Sequence, residues 1–152
     1  MKAYKHILVP TDGSPLSMKA AKRAAVLAKD LAAKITAVYV IPPWRPPFAQ
    51  ESVILGELAY NEQVYRKATE EKANKALDKV LAAAAGSKVK CEKVVTKDAQ
   101  PWEGIIGTAR ALKCDLIVMG SHGRGALGAL LVGSETSKVL SHSSTPVLVC
   151  RA

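Results

Sequence analysis

Short apolar runs alternate along this chain with segments of helical spacing, and that alternation limits the folds open to it more than any other feature. Ile7-Leu8-Val9 stops at Pro10-Thr11-Asp12-Gly13-Ser14-Pro15, the pattern of a buried strand entering a turn. Ser14 suits a helix N-cap and Pro15 the first helical position. Leu16, Ala20, Ala24, Leu27, Ala28 and Leu31 then recur at helical spacing, with Lys19, Lys22, Arg23 and Lys29 mostly off that stripe. Residues 35–41 are rich in β-branched side chains and predict a second strand ending at Pro42-Pro43. The four prolines of residues 42–48, with Trp44 and Phe48 among them, predict an exposed loop.

A long amphipathic stretch over residues 51–85 follows, with Gly86 expected as its C-terminal cap. Residues 89–95 predict a third strand, and Pro101 opens a helix whose Ile105, Ile106, Ala109 and Leu112 share a face. Leu116-Ile117-Val118-Met119 reads as strand four, residues 134–141 as a helix and residues 146–150 as strand five. Such regular alternation predicts an α/β fold: an open, five-stranded, mostly parallel sheet with helices on both faces and right-handed crossovers. In such sheets ligands bind beyond the carboxyl ends of the strands, where strand order reverses. Two loops with unusual chemistry leave such ends, residues 10–14 and 120–134. If strands one and four are neighbours, these loops face each other across one crevice.

Composition sets the outer bounds. A chain of 152 residues, 49% hydrophobic and 23% charged, fits a single globular domain over residues 1–152. No apolar run approaches a membrane span, and the apolar stretch after Met1-Lys2-Ala3-Tyr4-Lys5-His6 is too short for a signal peptide, so a soluble, cytoplasmic protein is expected. Cys91, Cys114 and Cys150 are widely spaced without a CxxC, which suggests neither a disulfide framework nor a zinc site. His6 and His142 offer no metal-ligand spacing. The net charge of +9 favours anionic partners. The seven aromatics (4 Tyr, 2 Trp, 1 Phe) are not grouped with basic residues, which argues against stacking platforms for nucleic acid.

Five of the ten glycines fall at positions 120, 123, 125, 128 and 133. A strand followed by glycines and a helix N-terminus holds phosphate for physical reasons. Glycines permit positive φ and close approach of main-chain amides, and the helix adds unpaired N–H donors and the positive end of its dipole. Ser134 and Thr136 can add hydroxyls and Arg124 a phosphate-pairing guanidinium. Two familiar patterns fail on context. Gly123-x-Gly125-x-x-Gly128 has no acidic residue about 20 positions on, and Gly128-x-x-x-x-Gly133-Ser134 lacks the P-loop lysine. Ser121 lacks a nucleophile elbow, and His122 lies within the loop.

The spacing that fits is Gly120-x-x-Gly123, nine residues, then Gly133-Ser134. Together with Ile7-Leu8-Val9-Pro10-Thr11-Asp12-Gly13-Ser14, residues 115–125 and Thr145-Pro146-Val147-Leu148-Val149, it resembles the universal stress protein family, specifically its ATP-binding branch. The resemblance implies a Rossmann-like sheet in the order 3-2-1-4-5, with ATP between the first and fourth strands. It implies that Asp12 contacts the adenosine part, with Pro10 and Thr11 shaping the pocket beside it. Val40 would bond adenine through its main chain, and Met119 and Gly120 would lie against the ribose. Gly123, Gly133 and Ser134 would bind phosphates, with Mg²⁺ or Mn²⁺ held by phosphate oxygens. Glu135 departs from the apolar residue often found there, and a carboxylate beside phosphate repels it unless it turns away or meets the ion. The resemblance also implies a homodimer through residues 146–150, the sheet continuing antiparallel into a second copy. No lysine, base and metal carboxylate are arranged for phosphoryl transfer, so the expectation is an ATP-binding stress-response or regulatory protein, a dimeric switch with little or no turnover. The alternatives are a dimeric interaction protein that no longer binds nucleotide, and a slow ATPase.

Overall fold

Strand β1 (His6–Pro10) lies at the centre of the sheet, with every residue buried. In the computed structural model, which describes residues 3–46, 61–123 and 132–152, it leads into helix α1 (Pro15–Leu31) and strand β2 (Lys34–Ile41). Helix α2 (Glu62–Gly86), strand β3 (Cys91–Lys97), helix α3 (Pro101–Ala111), strand β4 (Leu116–Gly120), helix α4 (Ser134–His142) and strand β5 (Val147–Cys150) follow. The sheet order is β3-β2-β1-β4-β5 and all four pairings are parallel. β1 therefore sits where the order reverses, with β2 on one side and β4 on the other, the order that the family resemblance implies.

Alternation along the strands sorts the core into two layers. Ile7, Val9, Ile35, Ala37, Leu116 and Val118 meet α1 and α2, while Leu8, Val38, Ile117 and Met119 meet Ile105, Ala109 and Val139 on the other face. Ala20, Ala21, Ala24, Ala25 and Ala28 are almost wholly buried and let α1 lie close against the sheet. Each large apolar side chain buried in this way contributes roughly 1.5–3 kcal/mol relative to exposure. Asp115 ties the start of β1 to β4, its carboxylate accepting from the Lys5 and His6 amides at 2.9 and 3.0 Å.

Three boundaries differ from expectation. Asn61 takes an extended conformation and accepts from the Gln63 and Val64 amides, so α2 starts at Glu62; residues 51–60 of the expected helix lie outside the described residues. Gly86 remains helical, and the left-handed residue that ends the segment is Lys88, φ 57°, with the Val89 amide closing back on Ala84 O at 2.9 Å. β3 runs two residues later than its apolar pattern suggested, because pairing with β2 fixes its register from Ile35↔Cys91 to Ile41↔Lys97. The expected loop is irregular over residues 42–46, and its Phe48 lies outside the described residues.

His6 is buried and shares a 2.7 Å hydrogen bond with Thr36 Oγ1. Burial, assisted by the Lys34 charge, pushes its imidazole below the ordinary value, against smaller opposing effects from a hydrogen bond with the Leu112 main chain and from the Asp115 and Glu92 charges. The fold therefore favours the neutral ring. That contribution is complete above the unfolded pKa of about 6.5 and is lost as pH falls through the lowered folded value. Urea-unfolding midpoints are expected to drop between pH 7 and 5, and His6→Gln to remove that part of the slope. An unchanged slope in the variant contradicts the assignment.

Candidate functional site

The turn leaving β1 is built from its own side chains. Gly13 takes φ 79°, a conformation that asks for glycine. The Ser14 amide donates to Asp12 Oδ1 at 2.9 Å and the Gly13 amide to Thr11 Oγ1 at 3.1 Å. Ser14 caps α1 by accepting from the Ser17 amide at 3.2 Å. The Thr11 amide donates to Val38 O at 2.9 Å, where β1 ends. Main-chain groups alternate sides along a strand, so Val40 directs its N–H and C=O the same way as Val38, past the end of β1.

The described ends of the segment after β4 are held beside the sheet. The Ser121 amide donates to Cys150 O at 2.8 Å, and the Gly133 amide donates to Ser121 O at 2.6 Å, which brings the start of α4 back beside β4. Thr136 donates its hydroxyl to Gly120 O at 2.9 Å. Its proton is thus committed to the sheet, contrary to the expectation that it is offered to a phosphate. Positive φ, one of the two freedoms for which the glycines were singled out, is not used at 120, 123 and 133. They are needed for space instead. A Cβ at Gly133 would stand 3.1 Å from His122 Cα, one at Gly120 would stand 3.1 Å from Leu16 Cγ, and one at Gly123 would run into Asp12 Oδ2.

The turn after β1 and the described residues 120–123 and 133–136 line a crevice of about 580 Å³ at the carboxyl ends of β1, β2 and β4. Pro10, Thr11, Asp12 and Val40 line it from the first half of the fold, and Met119, Gly120, Gly123, Gly133, Ser134, Glu135 and Thr136 from the second. Arg124 lies outside the described residues. One wall is apolar, made by Val38, Val40, Ile105 and Met119. Gly133, in the capping position of α4, also lines the crevice, and no side chain caps the helix. The Ser137 amide takes Gly133 O, so helix geometry leaves the amides of Ser134, Glu135 and Thr136 as the unpaired first turn. Glu135 does not aim its carboxylate into this turn: Oε2 accepts from the Trp102 amide at 2.9 Å.

Sequence reasoning missed Val38 and Tyr39 on β2, Ser17 on α1, Lys72 on α2, and Pro101 and Ile105 on α3, all of which line the crevice. His122 joins them from the glycine loop. Burial pushes the thiols of Cys91 and Cys114 up to about 11 and raises that of Cys150, so none is a nucleophile near neutral pH. Among the described residues no group of three or more His, Cys, Asp or Glu is placed to hold a metal ion, and no helix is long and apolar enough to cross a membrane.

The sequence profile described as the Universal stress protein family matches residues 3–151. The chain belongs to that family. A universal stress protein of Methanocaldococcus jannaschii is 34% identical over 151 residues, covering 97% of this chain and 82% of that one. The solved structure of a universal stress protein family member from Burkholderia pseudomallei aligns with a TM-score of 0.78 at 26% identity, covering 100% of this chain and 99% of that chain. Another, a universal stress protein in complex with cAMP, aligns with a TM-score of 0.69 at 25% identity over 97% and 98% of the two chains.

Proposed function

We propose that this universal stress protein binds an adenine nucleotide, ATP, in the crevice between β1 and β4. The observation that carries the reading is the uncapped start of α4 opening into the same cavity as an apolar wall. The wall of Val38, Val40, Ile105 and Met119 receives the flat base, and the main chain of Val40 reads its polar edge. Asp12, flanked by Pro10 and Thr11, contacts the sugar, with Met119 and Gly120 beneath it. The amides of Gly123, Ser134, Glu135 and Thr136 receive the phosphates, aided by the helix dipole. The phosphate oxygens are the donor set for Mg²⁺ or Mn²⁺. The cAMP complex of a family member supports the nucleotide class.

The reading is of a binder with little or no turnover. Both carboxylates lining the crevice hold main-chain amides, Asp12 that of Ser14 and Glu135 that of Trp102. Neither is set out as a base or metal ligand for phosphoryl transfer. The same proposal includes a homodimer through the edge strand β5, as the frame of a nucleotide-controlled switch. Calorimetric titration of the protein with ATP and Mg²⁺ tests it: saturable heat with ATP, reduced for GTP, is expected. No heat at millimolar ATP overturns it in favour of an interaction protein without a ligand, and rapid phosphate release makes the protein an ATPase.

A further inference from the structure

Glu135 stands between the N-termini of two helices. α3 starts at Pro101 with Gln100 in the capping position, yet no side chain of its own caps it. The Glu103 and Gly104 amides close on Gln100 O, which leaves the Trp102 amide as the orphan donor of the first turn. Glu135 Oε2 accepts that amide at 2.9 Å. Its other oxygen faces Lys138 Nζ at 3.8 Å, one turn along α4. α3 and α4 also meet through the Trp102 and His142 rings, 4.5 Å apart and tilted by 34°. The carboxylate thus joins α3, which adds Pro101 and Ile105 to the crevice lining, to the first turn of α4, which lines the crevice through Ser134 and Thr136.

The geometry points to Glu135 as a positioning residue: a cap supplied from α4 to α3 that sets the spacing between Ile105, the α3 member of the apolar wall, and the anion-binding amides of α4. It therefore selects ligands that carry base and polyphosphate on one molecule. This rests on the nucleotide reading above, and deepens it. A ligand that touches only one end of the crevice does not sense that spacing, whereas ATP touches both. The acidic residue after the Gly-Ser pair then has a reason to be present, since its charge is satisfied by α3 and held off the phosphates.

The test uses the full chain, two variants and three probes: ATP, adenosine and inorganic tripolyphosphate. Glu135→Ala is expected to weaken ATP on the order of tenfold, the loss of a charge-assisted hydrogen bond. Adenosine and tripolyphosphate, each engaging one end, are expected to shift by less than about twofold. Glu135→Gln keeps an oxygen for the Trp102 amide and is expected to restore most of the ATP affinity. Equal loss for all three probes assigns Glu135 a general structural role and overturns the proposal. Equal loss in both variants, seen only with Mg²⁺ present, makes it an ion ligand and also overturns it. If the native chain binds none of the probes, the nucleotide reading and the selectivity fall together. Exchange of the Trp102 amide in the ligand-free protein then decides the cap alone: faster in Glu135→Ala and protected in Glu135→Gln upholds it, and unchanged exchange in both refutes it.

Discussion

Replacing Gly123 with valine is expected to weaken ATP binding by roughly a hundredfold or more, about 3 kcal/mol, with the fold intact. A Cβ at this position runs into Asp12 Oδ2, so the loop after β4 and the turn after β1 cannot both keep their places. Asp12 cannot yield cheaply. Its other oxygen holds the Ser14 amide at 2.9 Å, and Ser14 caps α1. The loop therefore moves outward and withdraws its amides from the crevice. Gly123 is itself exposed, so the cost to stability stays near that of a surface change, within about 2 °C of the native thermal midpoint. Gly107→Ala is the matching control: nothing lies within 4 Å of the new methyl, and binding is expected to be unchanged. Full ATP affinity in Gly123→Val removes the glycine loop from the site.

Val149→Pro is expected to convert the proposed dimer to monomers without unfolding the chain. The Ile117 amide donates to Pro146 O and the Ser121 amide to Cys150 O, so alternate positions of β5 face β4. Val147 and Val149 lie between them and direct their main-chain groups off the sheet edge. Proline at 149 thus removes a donor from the edge and none from the ladder with β4. In a twofold pairing the loss occurs twice, once per chain, which weakens association on the order of a hundredfold. Leu148, 44% exposed, is the apolar surface such a pairing would cover. Sedimentation of the native chain at 16.1 kDa removes the dimer from the account, and a Val149→Pro protein that stays dimeric moves the interface elsewhere.

The parts of this fold that local chemistry controls were legible in the sequence. The apolar strands, Ser14 as a cap and Pro15 and Pro101 as helix openers all follow from residues close together in the chain, whereas the reversal at β1 comes from the family resemblance. What escaped depends on partners far away in sequence. The register of β3 is set by β2, not by its own apolar pattern. Ser17, Tyr39 and Lys72 enter the crevice because α1, β2 and α2 converge there, and nothing adjacent to them in sequence marks it. Glu135 read as a liability because its partner, the Trp102 amide, lies 33 residues away. Thr136 read as a phosphate donor, although its hydroxyl closes on Gly120 O, 16 residues back. Of the two properties that singled out the glycines, positive φ and close main-chain approach, the first is not used at 120, 123 and 133, where a Cβ would instead crowd neighbours that only the fold brings near.

The most direct test follows the ATP titration residue by residue in ¹⁵N-resolved spectra of the native protein. The amides of Gly123, Ser134, Glu135, Thr136 and Val40 are expected to shift together with one saturation curve, the first four losing most of their change when adenosine replaces ATP. Shifts confined to other surfaces, or none at saturating ATP, contradict the claim that the start of α4 receives a nucleotide's phosphates.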